Sequence, residues 1–325
     1  MLTKRDMLKG TAAIGLAALA GRIDPSLAQE IANIQVLIPA APGGGWDQTG
    51  RTMVEVLKTE KLIGNAQVTN VAGAGGTVAL PQFVNQWRGR TNAVMVSGLV
   101  MDGAIVLNKS QSKLTQTVPL MRLTGEYVAV VVGADSPIKS MRELADMLKA
   151  DAKKVSVAGG SAGSVDHILL GMIGKAVGAK VQELNYVAYS GGGPANAAII
   201  GGHVTAGMSG VNEVAEHVKA GKMRLLAVSA PQRLAGLDGP TLKEAGLDLE
   251  LANWRGVFAP PGTSDEHRKA LIAFFEKMVA TPTWKQEVQK RDWTSIPLSG
   301  DAFAKYVEAE SARIETILKE IGLVT

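Results

Sequence analysis

Residues 34–58 read IQVLIPAAPGGGWDQTGRTMVEVLK and pass from a β-branched run, through glycine, into a helical pattern. The run 34–38 predicts a strand, and the spacing of apolar residues predicts a helix over 47–58 with Asp47 as its N-cap. A strand that enters a helix through glycine leaves the first N–H groups of that helix without partners. Because glycine has no Cβ, a ligand can also approach the main chain closely. The stretch therefore predicts an α/β unit with room for an anion at the helix start.

The same change from strand pattern to helix pattern through glycine occurs at three further places. We name the four stretches the first to fourth glycine turns; they are 42–47 (PGGGWD), 73–76 (GAGG), 159–164 (GGSAGS) and 190–194 (SGGGP). One such turn means little, because glycine-rich loops are common. Four of them predict a pocket in which a small anion is held mostly by backbone N–H groups.

The composition argues against several classes of partner. The 325 residues carry a formal net charge of +4, half of it on the first 28 residues, and the rest of the chain has no block of Lys or Arg. No nucleic-acid partner is therefore predicted. Aromatic residues, at 4%, are too few to suggest a stacking surface for bases or sugars. The absence of cysteine excludes a disulfide framework and thiol chemistry.

Residues 1–28 have the pattern of a signal peptide. Lys4 and Arg5 form a basic start, 10–20 is a short apolar run, and small residues lead up to a cleavage site near Ala28. The start resembles a twin-arginine signal with Lys in the first arginine position, which leaves the export route open. An amphipathic first helix is the alternative, but this run would make a poor packing face. The segment predicts export to the periplasm.

The remainder of the chain alternates between strand and helix patterns. Strands are predicted near 34–38, 66–71, 93–97, 127–132, 155–158, 184–187, 203–208, 225–229 and 254–259, and helices near 47–58, 77–87, 140–149, 164–177, 195–200, 211–219, 265–279, 283–290 and 300–321. Such alternation predicts parallel sheets covered on both faces, with the ligand beyond the carboxyl ends of the strands. The strands near 127–132 and 254–258 are the expected crossovers between two lobes. We predict lobe 1 as 29–128 plus 252–325 and lobe 2 as 129–251.

Nucleotide and metal sites are not supported by the motifs. The second glycine turn lacks the third glycine of G-x-G-x-x-G, because Val78 occupies its place, and no glycine run is followed by the Lys-Ser/Thr of a P-loop. The four histidines are scattered, with none of the spacings that bind zinc. No cofactor and no metal are predicted.

A hydrolase is the alternative enzyme interpretation. The segment 159–163 matches G-x-S-x-G between a strand and a helix, which would make Ser161 a nucleophile. Asp265 and His267 follow in the required order, but one helix cannot place both in triad geometry. The other interpretation, which we favour, is that Ser161 and Ser164 are hydroxyl donors and caps around an anion.

Arg255 follows Trp254 at a predicted lobe crossover, just before the Pro-Pro-Gly at 260–262. A guanidinium is a planar bidentate donor that suits a carboxylate, so Arg255 is a candidate for the pocket wall. Trp46 and Tyr189 are further candidates for the wall, although a core role is equally consistent with their positions.

The chain resembles the tripartite tricarboxylate transporter substrate-binding proteins, also called the Bug family. The resemblance rests on the stretches PAAPGGGWD (39–47), NVAGAGG (70–76), YSGGG (189–193), GGHV (201–204) and NWRGVFAPPG (253–262). It covers the chain from about residue 30 to the C-terminus. The triple glycine and the Trp-Arg pair are most similar to the citrate-type branch.

The resemblance implies a monomeric receptor with a type II periplasmic-binding-protein fold, in which two doubly wound α/β lobes enclose a ligand cleft. It implies a small di- or tricarboxylate, citrate first, held by the glycine turns and delivered to a membrane permease without catalysis. The predicted ligand-binding residues are Gly43, Gly44, Gly45, Trp46, Asp47, Gly73, Ala74, Gly75, Gly76, Thr77, Ser97, Ser161, Ala162, Gly163, Ser164, Tyr189, Ser190, Gly191 and Arg255. Arg255 would add one full positive charge.

Two questions stay open at the level of sequence. A carboxylate sensor that docks to a signalling partner would use the same pocket as a transport receptor. Many relatives carry an acidic residue after Gly-Gly-His-Val, where this chain has Thr205, and a ligand contact there would change selectivity.

Overall fold

The computed structural model describes residues 31–189 and 192–324, in which ten strands form one sheet. The strands are β1 (Asn33–Ile38), β2 (Asn65–Asn70), β3 (Ala93–Gly98), β4 (Val118–Gly133), β5 (Ser156–Gly159), β6 (Asn185–Ala188), β7 (Ala206–Gly210), β8 (Met223–Val228), β9 (Ala252–Ala259) and β10 (Thr294–Ser299). Their order is β2-β1-β3-β9-β4-β7-β5-β6, and β8 and β10 also pair with β4. The predicted signal peptide lies outside the described residues.

The sheet is mixed rather than wholly parallel. Strands β1, β2 and β3 are parallel to one another, as are β5, β6 and β7. Between these groups, β9 and β4 are antiparallel to their neighbours, and β8 and β10 pair antiparallel with β4. The expectation of purely parallel sheets was wrong because the two crossover strands belong to the sheet and run against their neighbours.

Strand β4 joins the two parallel groups. Its first part, up to Tyr127, pairs with β9, and Tyr127 lies opposite Ala252. From Val128 onward it pairs with β7, and Val128 lies opposite Gly210. One unbroken strand of 16 residues therefore runs through both halves of the sheet.

The helices of eight residues or more in the described ranges are α1 (Gly45–Thr59), α2 (Leu99–Leu107), α3 (Met141–Ala150), α4 (Val165–Val177), α5 (Gly192–Ile200), α6 (Val211–Lys219), α7 (Asp265–Ala280), α8 (Pro282–Lys290) and α9 (Gly300–Glu320). Helix α2 was not predicted, because its sequence LVMDGAIVL is apolar on every side and has no helical period. Strand β10 and the first part of β4 were also missed. The helix predicted near 77–87 is only a short irregular segment over 79–86.

Helix starts confirm one predicted cap and correct another. The Ser140 hydroxyl accepts a hydrogen bond from Glu143 N, as predicted for α3. Asp47, in contrast, is the third residue of α1, whose N-cap is Gly44. The glycine run continues one residue into the helix, so the helix begins before the first polar side chain.

The core is built on both faces of the sheet. Trp254 of β9 is fully buried against Phe303 and Tyr306 of α9, with ring centroids 5.7 Å and 5.8 Å away. A smaller apolar cluster lies where the second part of β4 meets α5 and α6. Among the described residues, no helix combines the length and apolar character needed to cross a membrane.

Candidate functional site

The register of β4 places the two parallel groups end to end. Strand β3 ends at Gly98, which pairs with Arg255 of β9, and Arg255 pairs with Thr124 of β4. From the other side, β7 ends at Gly210, which pairs with Val128. Thr124 and Val128 are four residues apart on one strand, or about 13 Å. The carboxyl ends of the two strand groups therefore point toward each other and are offset by about this distance along β4. We call the space between them the cleft.

Helices that begin at the cleft lack side-chain caps. The N-cap residues of α1, α2, α4 and α6 are Gly44, Gly98, Ser164 and Gly210. The three glycines have no side chain that could cap a helix, and the Ser164 hydroxyl accepts no hydrogen bond from α4. Helices α3, α7 and α8 begin away from the cleft and are capped by the hydroxyls of Ser140, Ser264 and Thr281. Ser299 at the start of α9 also makes no cap and donates to Glu276 instead. The cleft thus collects free helix N-termini, which favour negative charge.

The first glycine turn is held by Asp47. The buried carboxylate accepts hydrogen bonds from Gly43 N at 2.8 Å, Arg51 Nε at 2.9 Å and Asn70 Nδ2 at 2.9 Å. Burial alone would raise the pKa of Asp47, but these hydrogen bonds and the charge of Arg51 together hold the pKa below its usual value. Asn70 also donates to Ala40 O, so the first turn is tied to the end of β2.

The second glycine turn packs on α2. A Cβ placed on Gly75 would lie 2.5 Å from the Cβ of Ala104, so only glycine allows this approach. Asn108 Nδ2 donates to Ala74 O at 3.0 Å and lies 3.4 Å from Thr77 Oγ1. Gly73, Ala74 and Gly75 remain exposed, as the predicted ligand contact requires, whereas Gly76 is buried beneath the ring of Trp46.

The third glycine turn is fixed by residues of α4 and β6. Gly160 N donates to Asp166 Oδ2 at 2.9 Å, and Gly163 N donates to His167 Nδ1 at 3.2 Å. The ring of Tyr186 stacks on His167 with centroids 4.0 Å apart, and its hydroxyl donates to Gly160 O. These bonds leave the intervening residues Ser161 and Ala162 exposed and Gly163 and Ser164 half-buried.

Burial governs the titration of this turn's partners. Burial raises the pKa of Asp166 to about 6, and the negative charge of Glu213 adds to this increase. The hydrogen bond from Gly160 N acts in the opposite direction and lowers the pKa. Burial lowers the pKa of His167 to about 4. His167 is therefore neutral at pH 7, and its Nδ1 accepts the Gly163 N–H.

The third turn also touches α2. A Cβ on Gly103 would lie 3.4 Å from Gly163 O, and one on Gly163 would lie 2.2 Å from Leu107 Cδ1. Helix α2 therefore has the second turn on one side and the third turn on the other. This element, missed by the sequence analysis, is the one that both turns share.

The fourth glycine turn is only partly described, because Ser190 and Gly191 lie outside the described residues. Tyr189 is half-buried, and its N–H donates to Gly159 O at 3.0 Å. Glu213 of α6 lies against Gly192 at the start of α5, where a Cβ would be 2.2 Å from its carboxylate. A carboxylate therefore stands beside this helix start.

Arg255 reaches the cleft edge but its charge is paired. The guanidinium Nη2 donates to Glu126 Oε2 at 2.9 Å, and the side chain is only 9% exposed. The same guanidinium packs on the first residue of α1, because a Cβ on Gly45 would lie 2.6 Å from Nη2. The expected extra positive charge is offset by Glu126, which the sequence analysis did not identify because it lies far from Arg255 in the chain.

Two further residues differ from expectation. Ser97 is fully buried, and its hydroxyl lies 3.2 Å from the sulfur of Met101. Thr205 bonds to Ser156 at the first residue of β5, the end of that strand opposite to the third glycine turn. Thr205 therefore contacts the start of β5, away from the cleft, rather than a ligand in the cleft.

The alternative chemistries find little support in the geometry. His267 Nδ1 lies 2.9 Å from Ser264 Oγ at the start of α7, where both belong to the helix cap. No group of three or more His, Asp or Glu side chains within the described ranges is arranged to bind a metal ion.

Comparison with known proteins shows which family the sequence matches. Residues 51–323 match the family described as "Tripartite tricarboxylate transporter family receptor". The chain is similar to the protein BugT of Bordetella pertussis, with 26% identity over 294 residues and coverage of 89% of each chain.

Two solved structures share the fold. A TctC solute binding protein from Polaromonas superimposes with a TM-score of 0.78 at 24% identity, covering 89% of this chain and 98% of that one. MatC from Rhodopseudomonas palustris, with bound malate, gives a TM-score of 0.64 at 24% identity, covering 88% and 98%. The predicted α/β periplasmic-binding-protein fold is thereby confirmed.

Proposed function

Because the chain belongs to the tripartite tricarboxylate transporter receptor family, we propose that it captures a small di- or tricarboxylate and delivers it to the membrane permease of such a transporter. Members of this family are binding proteins, so the chain is not an enzyme and Ser161 is not a nucleophile. The observation that carries the proposal is the set of uncapped helix starts that face each other across the cleft.

The helix starts supply the charge that a carboxylate ligand needs. Each helix N-terminus is equivalent to about half a positive charge, so α1, α2, α4 and α6 together offer about two. The exposed residues of the first three glycine turns leave main-chain N–H groups within reach of a ligand. A ligand with two carboxylates that touches both halves of the sheet matches this distribution.

Side-chain charges narrow the choice of ligand. The pairs Arg255–Glu126 and Arg51–Asp47 are each neutral, and Asp166 adds negative charge when ionised. Together these described side chains carry no net positive charge for a third carboxylate, and we propose a dicarboxylate in preference to citrate. The bound malate in the structure of MatC supports this choice.

The predicted lobes, 29–128 plus 252–325 and 129–251, remain part of the proposal. The change of pairing partner in β4 between Tyr127 and Val128 supports the boundary. Ligand that touches both halves would stabilise a closed arrangement over an open one, by hinge motion. Export to the periplasm through the segment 1–28 also belongs to the proposal, as does the permease as partner.

Calorimetric titration with succinate, malate, citrate and acetate tests the ligand class. We expect the dicarboxylates to bind more tightly than citrate and acetate, with about 2.7 kcal/mol of added stability at a hundredfold excess over Kd. If no di- or tricarboxylate binds, the proposal fails.

A matched pair of variants tests the role of the free helix start. In Gly44→Ser the new hydroxyl should cap α1 and occupy N–H groups that the ligand needs, since a Cβ at Gly44 meets only Ala41 O, at 3.5 Å. We expect several-fold weaker binding and slightly higher stability. The control Ser264→Gly removes a cap at α7 and should lower stability without changing affinity. Equal effects on affinity would contradict the assignment.

A signalling role would use the same pocket. Uptake of labelled succinate distinguishes the transport role from the signalling role. It is measured in cells that lack this protein and in the same cells after its gene has been reintroduced. Restored uptake supports delivery to a permease, whereas binding without restored uptake points to a sensor.

A further inference from the structure

A second cavity lies at the junction of the two halves of the sheet. Its volume is about 390 Å³, within the range of small-molecule sites. Its charged wall residues are Arg122, Arg313, Glu250 and Glu310, and its larger apolar and aromatic wall residues are Tyr127, Ile296 and Tyr306. They come from β4, from the approach to β9, from β10 and from α9, so the cavity touches both strands that cross between the halves.

The cavity is on the face of the crossover opposite to Arg255. Side chains alternate along a strand, so Ala252 and Trp254 share one face of β9 and Arg255 is on the other. Trp254 packs on α9, and Ala252 lines the cavity together with its pairing partner Tyr127. Arg255 instead bonds to Glu126. The cavity is therefore a separate feature from the cleft.

Arg122 supplies the cavity with a cation that no carboxylate neutralises. Its Nε donates to Ile296 O at 2.9 Å, and its guanidinium carbon lies 4.5 Å from the ring centre of Tyr306. No salt bridge joins Arg122 to any acid in the described ranges. Its terminal nitrogens thus keep donors that a bound anion can use.

Arg313, in contrast, is paired with an acid. Its Nη2 donates to Glu310 at 2.5 Å and its Nη1 donates to Glu250 O at 3.0 Å. Its Nε is buried and has no hydrogen-bond partner among the described residues. This N–H is not accessible from the cavity, and Glu310 offsets the charge of Arg313, so the cation that a ligand in the cavity can reach is Arg122. The Glu250 side chain is exposed, so its negative charge lies at the rim.

The remaining wall is apolar. Ile296, Ala252, Ala309 and Pro231 line the cavity beside the ring of Tyr127. A fully hydrated inorganic ion gains nothing from such a surface, whereas a hydrocarbon body is favoured there. The site therefore combines one cation without a salt bridge, the Arg313–Glu310 ion pair, the Glu250 carboxylate at its rim and an apolar wall.

We propose that this cavity is a second binding site, for a small organic monocarboxylate with an apolar body. Its carboxylate bonds to Arg122, and its body lies on Ile296 and Ala252. This goes beyond the cleft site and does not depend on which ligand the cleft binds.

Methyl NMR of the purified protein, labelled at isoleucine δ1 and alanine β carbons, tests the site with benzoate as probe and sulfate as a plain anion. We expect saturable shifts of the Ile296 and Ala309 methyl signals at millimolar benzoate, and none with sulfate. The absence of saturable shifts with benzoate would overturn the proposal, as would equal shifts with sulfate.

Three variants locate the binding. Arg122→Met should reduce benzoate affinity at least tenfold, whereas Arg90→Met, at an arginine that lies 4.9 Å over Trp87, should leave it unchanged. Ala309→Leu fills the cavity from the exposed face of α9 without removing a hydrogen bond, so it keeps the fold intact and should also weaken binding. Unchanged affinity in both Arg122→Met and Ala309→Leu would refute the site.

Discussion

Ser229 ties together the strands at the junction, and we expect Ser229→Ala to be strongly destabilising for its size. The side chain is fully buried. Its hydroxyl accepts from Val128 N at 2.9 Å and donates to Leu251 O at 2.6 Å. One oxygen atom therefore links the switching point of β4 to the residue just before β9.

The magnitude follows from the two groups that lose their partner. Alanine leaves the N–H of Val128 and the C=O of Leu251 without the bonds that Ser229 provides, and each buried polar group left unpaired costs about 1–3 kcal/mol. The two backbone bonds of Ser229, its N–H to Val128 O and its C=O from Leu251 N, remain. We expect the free energy of unfolding to fall by about 2–6 kcal/mol.

Urea unfolding followed by tryptophan fluorescence measures this loss, and the slope with urea should stay the same if only stability changes. Ser209→Ala is the matched control. Ser209 is equally buried, but its hydroxyl bonds only to the side chain of Glu213, which is exposed and can bond to water instead. The control should lose less than about 1 kcal/mol. Equal losses in the two variants would refute the assignment of Ser229 as the link.

Three other outcomes follow from the same structure. Gly163→Ala should lower the free energy of unfolding by at least about 1 kcal/mol, because the residue has φ +77° and its new Cβ would meet Leu107. The variant should also bind ligand more weakly. An unchanged melting temperature would contradict the expected loss of stability. Burial raises the pKa of Asp102 to about 7, so the wild type should lose more stability than Asp102→Asn as pH rises from about 4 to about 7. The free energy of unfolding of Asp102→Asn, relative to the wild type, should rise over that pH window by at most about 4 kcal/mol. A difference that stays constant across pH would contradict the raised pKa of Asp102. Arg255→Met should cost about 3 kcal/mol by leaving Glu126 unpaired, and the double variant with Glu126→Gln should regain most of it; additive losses in urea unfolding would show that the two side chains do not interact.

The parts of the site that the sequence predicts are those with a local signature. The glycine turns and the β-branched runs before them can be recognised within a few residues, and parallel strands bring their carboxyl ends to one edge. The structure places the first three turns at the cleft for that reason. Even the error at Asp47 is local, since the helix simply begins two residues earlier, at Gly45.

The features that the sequence analysis did not predict depend mostly on contacts between residues far apart in the chain. Glu126 meets Arg255 across two strands that are far apart in the chain, and no pattern in either segment announces the other. Helix α2 is hidden because its residues are almost all apolar, so it has no polar face to give it a period. Thr205 drew attention by its departure from the family pattern, yet its position on the sheet could be known only from its bonds to Ser156.

The position of β9 in the sheet determines when the sheet can finish folding. Val96 of β3 pairs with Val257 of β9, about 160 residues later in the chain. Closing so long a loop is slow, and the edge of β3 stays open until β9 has been synthesised. An open edge on a buried strand such as AVMVSG is a template for association with other chains. The N-terminal half therefore depends on the C-terminal half for its own protection, because the edge of β3 is covered only by β9, which ends nearly four-fifths of the way along the chain.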